Sequence, residues 1–181
     1  MIKTLHCMGG LPASGKTTWL DRNAAGAAIV VSPDSFMYLK VANLPGRQPE
    51  MIDIYAWTPA RVVAAWRKAF ARLQELAEDT AGCGTVYFDA TLVAPKDRRK
   101  MIQWAHERGI AAHCTFMSTP LAECLHRNAA RPEDRRVPEE TIRRMHSKMT
   151  LPISRTEAWD ALEVISYKSP YDTEIPFSLT F

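Results

Sequence analysis

Cysteine is scarce and unpatterned: positions 7, 83, 114 and 124 hold the four, with no C-x-x-C pair. No histidine stands at a spacing that would complete a zinc site with them, so structural zinc is not expected and the thiols read as reduced. Cys7 and Cys114 lie in strand-like runs, where cysteine acts as a small buried hydrophobe. No apolar run approaches the roughly 20 residues of a membrane span. Met1 leads directly into the strand-like Ile2-Lys3-Thr4-Leu5-His6-Cys7-Met8, with no basic-then-apolar leader, so a cytosolic protein is expected. Repeats and low-complexity tracts are missing too, which argues against solenoid and disordered classes. The five histidines, at 6, 106, 113, 126 and 146, form no triad-like set and are given no role.

What the chain does have is an ordinary globular composition over 181 residues, 46% hydrophobic and 24% charged. That length suits a single domain, 1–181, with a sizeable core. The net charge of +3 is unevenly spread. Residues 96–148 carry twelve Lys or Arg against seven Asp or Glu, and they hold the positive excess. A phosphate-rich partner would need such a stretch, although a solvated helical face would account for it equally well.

Strand and helix patterns alternate. Ile2–Met8 reads as a strand, Lys16–Ala25 as a helix, and Ala28–Val31 as a short β-branched strand. Proline and glycine at 33, 45, 46 and 49 make 33–58 loop-like, with one short helix expected around Phe36–Lys40. Thr58-Pro59 is an N-cap signal, followed by helical spacing of Val62, Trp66, Ala69, Phe70 and Leu73 through about Glu78. A third strand is expected at Thr85–Phe88, a helix from Pro95 to Gly109 and a fourth strand at Ile110–Met117. Helices from Pro120 and Pro138 and a last strand at Val164–Tyr167 complete the order. Alternation of this kind predicts an α/β fold in which helices cover both faces of a parallel sheet, with ligands beyond the carboxyl ends of the strands. Gly9-Gly10, Asp34, Asp89 and the segment after Met117 all fall there.

Four motifs carry chemistry. Gly10-Leu11-Pro12-Ala13-Ser14-Gly15-Lys16-Thr17 is a G-x-x-x-x-G-K-[ST] P-loop between a strand and a helix. Its amides and the helix N-terminus cradle phosphates, Lys16 reaches the β- and γ-phosphates of ATP, and the Thr17 hydroxyl ligates Mg²⁺. Gly10, Ala13, Ser14, Gly15 and Thr18 complete the expected ATP-binding set. Asp34, in Val31-Ser32-Pro33-Asp34, is the candidate base for an alcohol acceptor, with an N-cap role at Ser35 as the plain alternative. Asp89, in Phe88-Asp89-Ala90-Thr91, stands where a P-loop protein holds the Mg²⁺ water shell, or fixes substrate instead. Arg127 and Arg131, within an arginine-rich run ending at Val137-Pro138, suit neutralisation of a transferring phosphoryl group. Arg135 and Arg136 stay open, since Glu133 and Asp134 could pair with them. Lys96, Arg98, Arg99 and Lys100 begin a helix and either touch phosphates or stay solvated. Trp57, Trp66 and Trp104 read as core, although Tyr55 and Trp57 lie where a substrate could sit.

In their order, these pieces resemble bacteriophage polynucleotide kinase over residues 3–150. The matching features are the P-loop, Ser-Pro-Asp after strand two, Asp-Ala-Thr after strand three, and Arg127-Asn128-x-x-Arg131 followed by Val137-Pro138. Tyr55-Ala56-Trp57-Thr58 and Arg143-Arg144-Met145 are similar as well. The resemblance implies a three-layer P-loop NTPase fold with an arginine-bearing lid at about 127–137 and a tail from about 168. It implies a phage protein in the host cytoplasm that phosphorylates a nucleic-acid hydroxyl, DNA rather than RNA. Asp34 would be the base, Asp89 and Thr91 would shape the acceptor site, and Arg127 and Arg131 would act on the donor. Two features depart from the family. Met37 stands where an arginine grips the acceptor's phosphate, a contact Arg47 could replace, and the Asp-x-Asp-Gly-Thr phosphatase motif is missing. The expected acceptor is a 5′-OH end, with the hydroxymethyl group of 5-hydroxymethyluracil in DNA as the alternative. A small-molecule kinase and a nucleotide switch without an acceptor stand behind both.

Overall fold

The computed structural model describes residues 1–24, 28–40, 53–55, 58–79 and 84–167. Its strands are β1 (Thr4–Gly9), β2 (Ile29–Val31), β3 (Tyr38–Lys40), β4 (Asp53–Tyr55), β5 (Thr85–Asp89), β6 (Ala111–Ser118) and β7 (Ala161–Ser166). Five of them form one sheet in the order β2-β5-β1-β6-β7, with every neighbouring pair parallel. The chain lays strands to one side of β1 and then to the other. A topological switch therefore lies at the carboxyl end of β1, where such sheets open a crevice.

The helices are α1 (Lys16–Asn23), α2 (Pro59–Glu78), α3 (Pro95–His106), α4 (Leu121–Ala129) and α5 (Glu139–His146). As expected, Thr58 caps α2: its hydroxyl accepts the Arg61 amide at 3.3 Å and Pro59 takes the first helical position. Ala65, Ala69, Leu73 and Leu76 then fall on one stripe. Ala69, Leu73 and Leu76 join Met101, Ile102 and Ala105 of α3 against Leu5, Cys7, Val86 and Phe88 on one sheet face. Trp19 and Leu20 of α1 pack with Met8 and Met117 on the other. Helices on both faces make the three layers that the strand–helix alternation predicts.

Two expectations change. No helix spans Phe36–Lys40: a single 3-10 turn occupies Pro33–Phe36, and Tyr38–Lys40 is β3, paired antiparallel with β4. Proline at the first turn position starts the coil early, and a long-range pairing that leaves no local periodicity claims the rest. Arg98 is neither solvated nor at a phosphate-binding surface, because its side chain is fully buried. Its Nε and one terminal nitrogen donate to Glu157 at 2.7 and 2.6 Å, and the other terminal nitrogen donates to the carbonyls of Leu92 and Val93. Trp159 donates to the same carboxylate at 3.1 Å. A guanidinium with all these partners tolerates burial, and it fixes the chain just beyond Asp89 and Thr91. Cys7, Cys114 and Cys124 are buried free thiols, in keeping with the reading of cysteine as a hydrophobe.

Candidate active site

The loop after β1 is built for close backbone approach. Gly10 has φ +124°, and a Cβ there would lie 2.7 Å from the Met117 carbonyl oxygen and 2.9 Å from Ser14 Oγ. Both the dihedral and the space require glycine. The Gly10 amide donates to the Thr91 carbonyl at 2.7 Å, and the Thr119 hydroxyl donates to the Ser14 carbonyl at 2.8 Å. The loop is thus tied to the ends of β5 and β6. Lys16 folds back over it, Nζ donating to the Gly10 and Leu11 carbonyls at 3.0 and 2.8 Å. Burial pushes the Lys16 ammonium below its ordinary pKa, with Asp89 and Asp34 opposing that shift. A buried ammonium facing carbonyls, beside the N-terminus of α1, fits the phosphates of a nucleotide well.

Two cavities meet at this lysine. The first, about 700 Å³, is lined by Ser14, Gly15, Thr18, Trp19, Thr119, Arg127 and Tyr167 among others. The second is smaller, about 140 Å³, and holds Asp34, Met37, Trp66, Asp89 and Thr91. Ala13, Lys16, Thr17 and Arg131 line both. Thr17 is exposed, so its hydroxyl is open to a ligand at the junction of the two.

Asp34 lies within the 3-10 turn, whose N-cap is Ser32. Its carboxylate is therefore not the cap expected as the plain alternative, and it forms no hydrogen bond or ion pair with a described residue. It remains solvent-accessible through the cavity, yet desolvation by the surrounding protein raises its pKa, which Lys16 and Arg131 pull back down. Asp89 is also raised, by burial first and by the neighbouring Asp34, with Lys16 in opposition. Two carboxylates and one ammonium thus share a small volume.

Arg131 faces both cavities from beyond the end of α4, and Arg127 lies at the first. Arg127 donates to Glu123 at 2.7 Å, and its guanidinium carbon lies 5.2 Å from the Tyr167 ring centre. Asn128 closes the segment between them and α5: it donates to the Val137 carbonyl at 2.8 Å and accepts the Val137 amide at 3.0 Å. Arg136 donates to the Arg131 carbonyl, which leaves its charge outside the cavities. Gly10 sits under the loop rather than on a cavity wall. Arg47 and Trp57 lie outside the described residues. Thr119 was not anticipated, and Asn128 and Tyr167 entered only as part of the Arg127-Asn128-x-x-Arg131 motif and the last strand without a role, since each acts through a tertiary partner. The one available signal was that Thr119 follows a strand end, as the other site residues do.

The sheet order, the loop and the buried lysine define a P-loop NTPase. A model of the AAA domain family matches residues 5–152, and the chain belongs to that family. No curated protein matches it in sequence. Among solved structures, it is similar to the AvrRxo1-ORF1:AvrRxo1-ORF2 complex with sulphate ions at 18% identity and a TM-score of 0.58. That match covers 80% of this chain and 46% of the other, so the chain spans about half of that relative. The Pnkp1/Rnl/Hen1 RNA repair complex matches at 17% identity and a TM-score of 0.58, over 80% of this chain and 43% of that one. A gluconokinase from Sinorhizobium meliloti 1021 matches at 14% identity and a TM-score of 0.55, over 93% and 85%. Among the described residues no helix is long and apolar enough to cross a membrane.

Proposed function

We propose that the protein is an ATP-dependent kinase that transfers the γ-phosphate to a hydroxyl of a nucleic acid, with a 5′-OH end of DNA as the acceptor. The observation that carries the transfer reading is the junction at Lys16, Thr17 and Arg131, which joins a phosphate-binding cavity to one that holds an unpartnered carboxylate. ATP fits the first cavity, its phosphates on the loop amides and Lys16, with Arg127 and Arg131 above. Mg²⁺ held through the Thr17 hydroxyl would neutralise charge on the β- and γ-phosphate oxygens.

In the transfer, the Asp34 carboxylate takes the proton of the acceptor hydroxyl as its oxygen bonds to the γ-phosphorus. The bond from that phosphorus to the β-γ bridging oxygen breaks, and ADP leaves. Lys16 and Arg131 neutralise the charge that develops on the moving group. Asp89 and Thr91 orient the acceptor in the second cavity.

Three features support nucleic acid as the acceptor: the ordered motif resemblance, the basic excess over residues 96–148, and the similarity to an RNA repair complex. Met37 favours a second acceptor. It is buried on the wall of the second cavity, at the position of the family's arginine that holds the phosphate neighbouring the acceptor hydroxyl. A base hydroxymethyl group in DNA need not present its phosphate in the same place. Labelled γ-phosphate offered to 5′-OH oligonucleotides, to 5′-phosphorylated duplexes containing 5-hydroxymethyluracil, to free nucleosides and to a sugar acid separates the readings. Label on the first is the expected result. Label only on the second selects the base-modifying reading, and label only on nucleosides or the sugar acid contradicts a polynucleotide acceptor.

A further inference from the structure

A third cavity, about 740 Å³, opens beside the acceptor cavity and shares Val62, Trp66, Thr91 and Met145 with it. Trp66 and Phe70 line its apolar floor, half-buried, with ring centres 5.6 and 6.0 Å from that of the fully buried Phe88. These rings are therefore held by the core and not free to collapse. Around the floor stand Arg67 of α2, Lys100 of α3, Arg144 of α5 and Lys148 just beyond it, with Asp97 the only acidic residue in the lining. All four cations are exposed. On the same helices Arg72 pairs with Glu75 and Arg143 with Glu139, while Arg61, Lys68, Lys96 and Arg99 stand outside the groove lining, also without an ion-pair partner among the described residues. Among the described residues, none of the four groove cations has an ion-pair partner.

We propose that this groove is a track for single-stranded polynucleotide, carrying the strand away from the hydroxyl phosphorylated at Asp34. Its direction rests on the acceptor reading above, whereas the binding itself does not. Unpaired cations from three helices give a sequence-independent grip on phosphates. An aromatic floor between them offers stacking to any base. The continuous wall at Val62, Trp66 and Met145 joins the track to the reacting position. The sequence's basic excess becomes specific in this way: Lys100, Arg144 and Lys148 of that stretch converge here, while Arg98 is spent in the core.

The test is fluorescence anisotropy of a labelled oligothymidylate dodecamer across a salt series, without ATP. The proteins are wild type, the quadruple variant Arg67→Ala/Lys100→Ala/Arg144→Ala/Lys148→Ala, and Lys148→Ala alone. The quadruple variant is expected to lose at least about tenfold in affinity at low salt, and its log–log salt slope to become shallower by about 3. Lys148→Ala alone is expected to flatten the slope by about one or slightly less. If Lys148→Ala, or a folded quadruple variant, binds with the wild-type affinity and slope, the track is overturned, as it is if the wild type does not bind the dodecamer. Binding at the groove without label on any nucleic-acid hydroxyl contradicts the proposed acceptor and keeps the track. Labelled 5′-OH ends with unchanged binding by the quadruple variant do the reverse.

Discussion

Lys16 and Asp34 carry opposite charges in a shared cavity system, and each is shifted toward its neutral form by the protein around it. Lys16→Ala removes the one lysine ammonium that, among the described residues, is hydrogen-bonded to the loop. It is expected to lower kcat/KM by about 10²–10³ and to abolish stabilisation by ATP, which amounts to about 2.7 kcal/mol at a hundredfold excess over Kd. Calorimetry with and without ATP checks this, and an undiminished ATP-dependent shift in Tm would contradict it. The raised carboxyls of Asp34 and Asp89 work against stability in the ligand-free protein. A carboxyl whose folded pKa lies above its unfolded value contributes stability below the unfolded pKa, and that contribution is lost as pH rises through the folded one. Deprotonation of either group in the folded protein thus costs stability as pH rises. Asp34→Asn is therefore expected to raise the ligand-free Tm at neutral pH, by ~2–4 °C per kcal/mol recovered, with the gain shrinking toward acid. A lowered Tm would mean that attraction to Lys16 and Arg131 outweighs desolvation.

At the scale of elements, the site is a set of strand ends held in register by side chains from elsewhere in the chain. Arg98 anchors the turn after β5 through Leu92 and Val93, and Glu157 neutralises it from a segment 59 positions away. Glu157→Ala leaves a buried guanidinium without its carboxylate, at an expected cost of about 3–5 kcal/mol. Urea unfolding measures that, and a loss well under 1 kcal/mol would show the pair to be solvated. The same pair marks what could be read in advance. The P-loop, the capped α2 and the strand-end acids were legible because each is written in contiguous residues with a fixed spacing. Arg98 was not, since a basic helix start looks alike whether it faces water or a distant Glu157. Tyr38–Lys40 was misread for a related reason: its partner β4 lies beyond an intervening segment, and three residues carry no period. Asp34 fell between these cases. Its position after a strand was visible, but only the fold shows that the turn begins at Pro33, with Ser32 in the N-cap position, and that the Asp34 carboxylate bonds to no described residue.

Across the whole molecule, the parallel order β2-β5-β1-β6-β7 brings the loop after β1, the turn after β2 and the end of β5 to one edge of the sheet. Chain reversal at β1 makes that edge a crevice, and Arg127 of α4 and Arg131 just beyond it line the larger cavity there. On the proposed reading, phosphate binding and proton abstraction fall to separate cavities that share Lys16, Thr17 and Arg131. The most direct measurement of that division is single-turnover transfer by Asp34→Ala, alongside ATP affinity from calorimetry on the same preparation. A fall of about 10²–10⁴ in the transfer rate, with the wild-type Kd for ATP retained, is the predicted result. Wild-type transfer by Asp34→Ala would contradict the account, because the acceptor's proton would then be leaving by a route that does not involve this carboxylate.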